Sequence, residues 1–195
     1  MEFSEGQLYH IYNRGNNKQQ IFFKPDNYIY FLKKLRKFIS SCCDVLAYSL
    51  MPNHFHFLVY CNETTAQTVD IGSIKRNVLS EGIRNLLPAY SKAINKQNNT
   101  TGSLFQQNTK AKAILKGSQL YDIVCLYYIH QNPMKAGLVN KMEDWLYSSF
   151  IDYFDLRKGT LCNKELATQL LDINMKSFYE DSYKHINEND IKNIF

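Results

Sequence analysis

The segment Met51–Val59, with the sequence MPNHFHFLV, places two histidines one residue apart in an apolar run that is typical of a β-strand. Successive side chains of a strand point to opposite faces, so His54 and His56 share one face and Phe55 and Phe57 share the other. Two imidazoles about 7 Å apart along a strand can bind one divalent cation if a third ligand comes from elsewhere. A half-buried strand with two polar residues on its outer face would show the same pattern.

The pattern of apolar residues around this segment predicts an α+β protein. Strands are expected near residues 8–12, 45–50, 53–60 and 104–115. Helices are expected from Pro25 to about residue 41, from about 71 to 95 with Pro88 as a point where the helix could break, and from the capping residue Ser118 to about Asn132. The last of these should end there because Pro133 disfavours helical geometry in the residue before it. Adjacent strands with interleaved helices indicate a sandwich with a mainly antiparallel sheet and helices packed against it.

The net charge of +5 is unevenly distributed along the 195 residues. Residues 1–140 contain 16 Lys and Arg against 8 Asp and Glu, whereas residues 141–195 contain 7 against 10. A basic body with an acidic tail is typical of a protein that binds a polyanion such as nucleic acid, although lysines also serve ordinary solubility.

Cysteine usage and the N-terminal sequence indicate the compartment. The five cysteines are odd in number and include no C-x-x-C pair, which predicts free thiols in a reducing environment and neither a disulfide framework nor a zinc site. The N-terminal residues lack the basic-then-apolar pattern of a signal peptide, and no apolar run reaches 18 residues. We therefore expect a cytoplasmic protein with no membrane segment.

The third ligand and a nucleophile could both come from the last predicted helix. Tyr128 and Asn132 lie four residues apart, as do Tyr127 and Gln131, so either pair would present a phenol and an amide on one helical face. The two pairs cannot be separated by spacing alone. A tyrosine on an apolar helix face is also, in most proteins, simply part of the core.

This combination of groups suits phosphodiester chemistry. A divalent metal neutralises charge on the phosphoryl oxygens as a Lewis acid. A phenol with a pKa of about 10 can attack phosphorus if a positive field favours its phenolate. Two histidines and one amide suit Mg²⁺ or Mn²⁺ when phosphate and water complete the shell, whereas zinc more often recruits a third His, Cys or carboxylate.

The chain resembles the REP-associated tyrosine transposases, a family within the single-tyrosine HUH (His-hydrophobic-His) transposase superfamily. Five segments carry the resemblance, in the family's order, over residues 9 to about 150. They are YHIYNRGNN (9–17), LMPNHFH (50–56), GSLFQ (102–106), YIHQNPMKAGLV (128–139) and DWLYSS (144–149).

The resemblance implies a ferredoxin-like fold and metal-dependent cutting and rejoining of single-stranded, often hairpin-containing DNA through a 5′-phosphotyrosine. Carried onto this chain, it makes His54 and His56 the metal-binding pair, Tyr128 the nucleophile and Asn132 the third ligand of Mg²⁺ or Mn²⁺. The related insertion-sequence enzymes have Gln four residues after the nucleophile, which keeps Tyr127 with Gln131 as the alternative.

The resemblance also divides the chain. It assigns residues 1–154 to a transposase-like catalytic domain and leaves residues 155–195 as an acidic, helical extension that could dock over the site, mediate assembly or cap the domain. Where relatives often carry a basic residue after Phe105 and Gln106, this chain has Gln107 and Asn108. We therefore expect Lys110 and Lys112 to contact DNA there. Arg14, in a polar stretch that could also be a plain turn, is a separate candidate for contact with a DNA phosphate.

Two other functions fit parts of the sequence. A domesticated relative could bind hairpin DNA with little or no cleavage, although intact His54, His56, Tyr128 and Asn132 are not needed for binding alone. A metal hydrolase acting on a small substrate is disfavoured by the basic body and the lack of further metal-binding signatures. The sequence is compatible with a monomer or a homodimer.

Overall fold

A computed structural model describes residues 1–114 and 119–195, except for the side chains of residues 119–121 and 193. Along the chain, the elements are β1 (Leu8–Arg14), α1 (Pro25–Phe38), β2 (Asp44–Met51), β3 (His54–Tyr60), α2 (Glu63–Ala66), β4 (Thr68–Ile71), β5 (Ile74–Asn77), α3 (Val78–Asn98), β6 (Lys110–Ile114), α4 (Gln119–Lys135), α5 (Phe150–Tyr153), α6 (Lys164–Leu170), α7 (Phe178–Ser182) and α8 (Glu188–Asn193), with short 3₁₀ turns at Asn16–Lys18 and Met142–Asp144.

The central sheet has four strands in the order β2-β3-β1-β6, and every pairing within it is antiparallel. The strands β1, β2, β3 and β6, with α1 between β1 and β2 and α3 between β3 and β6, give the βαββαβ succession of a ferredoxin-like sandwich. The predicted α+β class and antiparallel sheet are therefore confirmed.

The two faces of the sheet are covered by different helices. α1 and α3 pack against each other over the face that presents Ile11 and Phe57. α4 crosses the opposite face, where Leu126 and Ile129 share a core with Leu58. The alternation of β3 thus sends Phe55, Phe57 and Val59 toward α1 and α3, and residues 54, 56 and 58 toward α4.

The helix predicted from about residue 71 begins later, because β4 and β5 form a hairpin there. The two-residue connection of this hairpin is Gly72-Ser73, and Gly72 has a φ of +61°, which glycine adopts without strain. A Gly-Ser pair between two short runs is a hairpin signal that outweighs the helical spacing. α3 starts after Asn77, whose side-chain oxygen accepts hydrogen bonds from the backbone N–H groups of Leu79 and Ser80.

Neither proline ends its helix, which corrects two sequence-based expectations. An interior proline removes a backbone hydrogen bond and costs about 3 kcal/mol, yet α3 continues past Pro88 to Asn98 because Leu86 and Tyr90 are buried on either side of it. α4 continues past Pro133 to Lys135, since Pro133 already lies in the last turn.

The strand predicted at residues 104–115 is shorter than expected. β6 begins at Lys110, and Phe105 belongs to the preceding connection, where it forms a single bridge with Gly15. In contrast, β1 continues through Arg14, two residues beyond the strand expected near residues 8–12. The predicted helix cap Ser118 and the predicted strand end at residue 115 lie outside the described residues.

The acidic tail contains the short helices α6, α7 and α8, and α8 packs against α4. Ile194 is fully buried in the same core as Leu8 and Ile129. All five cysteines are free thiols, as predicted, and all but Cys162 are buried. Within residues 1–114 and 119–195, no helix combines the length and apolar character needed to cross a membrane.

The core between α1 and the sheet can be tested at Phe31, which is fully buried against a cluster of aromatic rings, Phe22, Phe55, Phe57, Tyr90 and Phe105. Phe31→Ala should lower the free energy of unfolding by about 3–5 kcal/mol in urea titrations, because it leaves a cavity among these rings. Ile29→Ala, at a half-exposed position of the same helix, should change it by about 0.5 kcal/mol or less. Equal losses in the two variants would contradict this core.

Candidate active site

The register between β1 and β3 brings polar side chains from both strands to one face of the sheet. Tyr12 lies directly opposite His56, and Arg14 lies opposite His54. Opposed residues of an antiparallel pair point to the same face, so all four side chains face the layer that contains α4. The sequence-predicted histidine pair therefore sits beside an arginine and a tyrosine from the neighbouring strand.

α4 places Tyr128 and Asn132 over these histidines. The centre of the Tyr128 ring lies 5.7 Å from that of His56 and 6.2 Å from that of His10. Burial lowers the pKa of His54 and raises the pKa of Tyr128, and in both cases the Asn132 amide opposes the shift. Asn132 therefore interacts with a histidine and with the phenol four residues before it.

The alternative pair points elsewhere. Gln131 is buried and donates through its Nε2 to the carbonyl oxygens of Ser182 and Lys184, at 2.7 and 2.9 Å. The Tyr127 ring lies 5.7 Å from the ring of Phe178 in α7. Both residues pack α4 against the tail, and the structure does not bring this pair to the histidines.

His10 joins the site from β1, although the sequence assigned it no role. Its Nε2 lies 2.9 Å from Nδ1 of His56, and its Nδ1 lies 2.7 Å from the backbone carbonyl oxygen of Ile194. Burial lowers the pKa of His10 to about 4 and holds the pKa of His56 well below its usual value. Both rings are therefore neutral near pH 7.

His54 has its own polar neighbour. Its Nδ1 lies 2.6 Å from Oδ1 of Asn53, and Nδ2 of Asn53 donates to the backbone carbonyl oxygen of Lys18 at 3.3 Å. The contact with Lys18 fixes which way the Asn53 amide is turned. A carboxamide oxygen only accepts, so Nδ1 of His54 carries the proton in this contact.

The donor atoms on this face fit a divalent cation. His56 Nε2 and Asn132 Nδ2 are buried and have no hydrogen-bond partner in the described part of the chain, although buried polar atoms are normally paired. The rings of His54 and His56 are 5.0 Å apart. The amide of Asn132 can turn to present its oxygen, which a hard cation prefers.

The side chains that could bind a metal ion at this site are few in kind. Among the described residues, no group of three or more His, Cys, Asp and Glu side chains is placed to hold a metal ion. The candidate set is therefore two imidazoles and one amide, with positions left for substrate and water. This arrangement suits Mg²⁺ or Mn²⁺ better than structural zinc.

A cavity of about 400 Å³ opens in front of Tyr128 and the histidine pair. Arg14 and Lys110 line it, and the buried Nε of Arg14 has no hydrogen-bond partner among the described residues. Lys112 is exposed and lies opposite His10 in the sheet, but it does not contribute to this lining. Two of the three predicted DNA contacts thus face the cavity.

Phe195 reaches the same cavity from the tail. Its ring centre lies 5.0 Å from that of Tyr12, 5.2 Å from those of His10 and Tyr128, and 6.1 Å from that of His56. Phe195 as a residue remains 39% exposed. Three roles were open for the tail: docking over the site, assembly or capping of the domain. The position of Phe195 corresponds to the first of these roles.

Sequence reasoning missed His10 and Tyr12 as parts of the site. The signal was present, because residues 8, 10, 12 and 14 of a strand share one face. It was insufficient, because only the pairing of β1 with β3 shows that this is the face carrying His54 and His56.

No family model matches the sequence, and no curated protein matches it. Among solved structures, a REP-associated tyrosine transposase bound to a REP hairpin has a TM-score of 0.58 with 17% sequence identity, over 80% of this chain and 83% of that chain. At this identity the likeness shows the fold, and the fold is the one expected from the resemblance in sequence.

The donor set predicts a difference between neighbouring amides of α4. Asn132→Ala should weaken Mn²⁺ binding, measured by calorimetry, at least about tenfold, because one protein donor is lost. Gln131→Ala removes the adjacent amide and should lower stability by about 1–3 kcal/mol, since the buried carbonyl of Ser182 and the partly buried carbonyl of Lys184 lose their donor, while Mn²⁺ affinity is retained. Unchanged affinity in Asn132→Ala would exclude that residue as a ligand.

Proposed function

We propose that this protein is a metal-dependent enzyme that nicks and rejoins single-stranded, hairpin-containing DNA, with Tyr128 as the nucleophile. The observation that carries the proposal is that Tyr128, His54 and His56 line one cavity and that Asn132 interacts with both Tyr128 and His54. A phenol, two neutral imidazoles and an amide are the groups that such chemistry requires.

Two further observations support DNA as the substrate. The cavity is lined by Arg14 and Lys110, within a body that carries twice as many basic as acidic residues over positions 1–140. The structurally similar transposase was solved with a hairpin of the REP type bound to it. We infer a hairpin-containing single strand as the ligand of this chain as well.

The proposed step is attack of the Tyr128 Oη on a backbone phosphorus. The new phosphorus–phenol bond replaces the bond from phosphorus to the 3′ oxygen, which leaves as a 3′-hydroxyl with the proton that the phenol gives up. The product is a 5′-phosphotyrosine that retains the energy of the phosphodiester bond. Attack by a 3′-hydroxyl on this linkage reverses the step and joins strands.

The charges around Tyr128 have to favour its phenolate. Burial raises the pKa of the phenol, so it is protonated near pH 7. Arg14 and Lys110 place positive charge in the same cavity, where it stabilises both the phenolate and the approaching phosphate. His54, His56 and Asn132 would hold Mg²⁺ or Mn²⁺, which when bound supplies Lewis-acid neutralisation of the phosphoryl oxygens.

A groove leads away from the cavity and offers a path for the DNA backbone. It has a volume of about 1090 Å³ and shares Gln106, Asn108 and Lys110 with the cavity. Arg84 and Lys92 of α3 line it further along. Lysine, arginine and amide side chains are the usual partners of phosphate and sugar groups, so we assign this groove to sequence-independent backbone contacts.

The nucleophile is tested by trapping. Wild-type protein incubated with a labelled pool of single-stranded hairpins and Mn²⁺ should form a covalent adduct that survives denaturing electrophoresis, and Tyr128→Phe should form none while still binding the hairpins. Tyr127→Phe is the matched control and should form the adduct, because Tyr127 packs against α7. An adduct in Tyr128→Phe would disprove the assignment, and loss of the adduct only in Tyr12→Phe would transfer the role to Tyr12.

The same incubation separates the enzyme from the binding-protein alternative. Hairpin binding by the wild-type protein without any adduct in Mg²⁺ or Mn²⁺ would support a domesticated DNA-binding protein. Turnover of a small phosphoester without a covalent intermediate would support a hydrolase.

The groove is tested by salt dependence. Lys92→Ala should weaken hairpin binding and reduce the slope of log K against log[salt] by about 0.7–0.9, the value for one phosphate contact. Lys33→Ala is the control, because Lys33 is exposed on α1 and lines neither the cavity nor the groove. The same slope in Lys92→Ala and wild type would exclude the groove as the path of the backbone.

A further inference from the structure

The two candidate metal-binding histidines share an arrangement that the proposed reaction does not by itself require. In each of them, Nδ1 contacts a polar side chain, and that side chain contacts a backbone carbonyl from a distant part of the chain. His56 contacts the His10 side chain, which contacts the backbone carbonyl of Ile194. His54 contacts the Asn53 side chain, which contacts the backbone carbonyl of Lys18.

The proton positions around His56 follow from the carbonyl of Ile194. A carbonyl oxygen can only accept, so His10 donates to it through Nδ1–H at 2.7 Å. His10 is completely buried, which disfavours a charged imidazole, so the ring carries one proton, its Nε2 carries the lone pair and this atom can only accept. The hydrogen bond of 2.9 Å between the two rings therefore has Nδ1–H of His56 as its donor. The lone pair of His56 is left on Nε2, the buried atom without a partner.

The proton positions around His54 follow from the carbonyl of Lys18 in the same way. Nδ2 of Asn53 donates to that carbonyl at 3.3 Å, which turns Oδ1 of Asn53 toward His54. Nδ1–H of His54 donates to this oxygen at 2.6 Å, and the lone pair is left on Nε2. The two histidines thus reach the same protonation pattern by separate routes.

We propose that His10 and Asn53 are positioning residues that hold His56 and His54 in the Nδ1–H tautomer, so that both Nε2 lone pairs are ready for a divalent cation before it binds. The proposal rests on the proposed function only for the identity of the ligand, a divalent cation. The tautomers themselves are a property of the metal-free protein.

The physical benefit is pre-organisation. An imidazole with its proton on Nε2 cannot bind a metal through that atom until the proton moves, and a ring without a partner on Nδ1 is free to adopt that form. Partners of this kind orient ligating histidines, and their removal typically weakens metal binding by about 10- to 100-fold. The tail takes part directly, because the backbone carbonyl of Ile194 accepts the hydrogen bond that orients His10, the partner of His56.

The tautomers can be measured in the full chain without metal or DNA. Long-range ¹H–¹⁵N correlation spectra of ¹⁵N-histidine-labelled protein distinguish a protonated from an unprotonated ring nitrogen. We expect His10, His54 and His56 all to carry their proton on Nδ1. A proton on Nε2 of His54 or His56 in the metal-free wild-type protein would overturn the proposal, whatever any variant does.

Two variants serve as controls for each other. His10→Leu removes the acceptor for His56 and should shift the tautomer of His56 while that of His54 is unchanged. Asn53→Ala should shift His54 and leave His56 unchanged. Each should weaken Mn²⁺ binding by about 10- to 100-fold in calorimetry. Phe195→Ala removes the ring that contacts His10 and His56 but neither hydrogen bond, so both tautomers should persist.

The outcomes separate this proposal from the proposed function. Shifted tautomers with weakened Mn²⁺ binding support the positioning role even if no DNA adduct ever forms. Unshifted tautomers in folded His10→Leu and Asn53→Ala would overturn it even if Tyr128 proves to be the nucleophile. If a variant does not fold, the wild-type spectrum alone decides between the two tautomers.

Discussion

The register of β1 against β3 is the constraint on which the candidate site depends. It places Tyr12 opposite His56 and Arg14 opposite His54, and it brings His10 within hydrogen-bonding distance of His56. A slip of one residue would exchange the faces of β1 and turn these side chains into the opposite core. The site geometry therefore follows from how the sheet is paired.

The apolar face of the same strands maintains this register. Ile11 lies opposite Phe57 and Tyr9 lies opposite Val59, and all four are buried under α1 and α3. Moving them out of that core would expose large side chains, each of which contributes about 1.5–3 kcal/mol through burial. The packing of the hydrophobic face thus also fixes which side chains lie on the polar face.

The sequence predicted those parts of the fold that are encoded locally. The alternation around His54 and His56 gave the strand and its faces, and the succession of strands and helices gave the antiparallel α+β class. The passage of α3 through Pro88 was not predictable, because burial of Leu86 and Tyr90 overrides local propensity. The late start of α3 does have a local signal, the Gly72-Ser73 hairpin, but helical spacing in the same stretch competes with it. The roles of Tyr127 and Tyr128 were undecided for a different reason. Adjacent helix residues differ by about 100° in direction, so only the packing of α4 shows which of them faces the sheet.

Burial of His10 and His56 costs free energy, and only hydrogen bonds made in the folded chain offset that cost. His10 and His56 are neutral and almost completely buried, and an unpaired buried polar group costs about 1–3 kcal/mol. Their mutual hydrogen bond and the carbonyl of Ile194 satisfy three of the four ring nitrogens, and only Nε2 of His56 is left. Ile194 is 184 residues from His10 in sequence, so this arrangement exists only when the tail is docked on α4. Formation of the site is therefore coupled to folding of the whole chain, and no local sequence pattern could have revealed it.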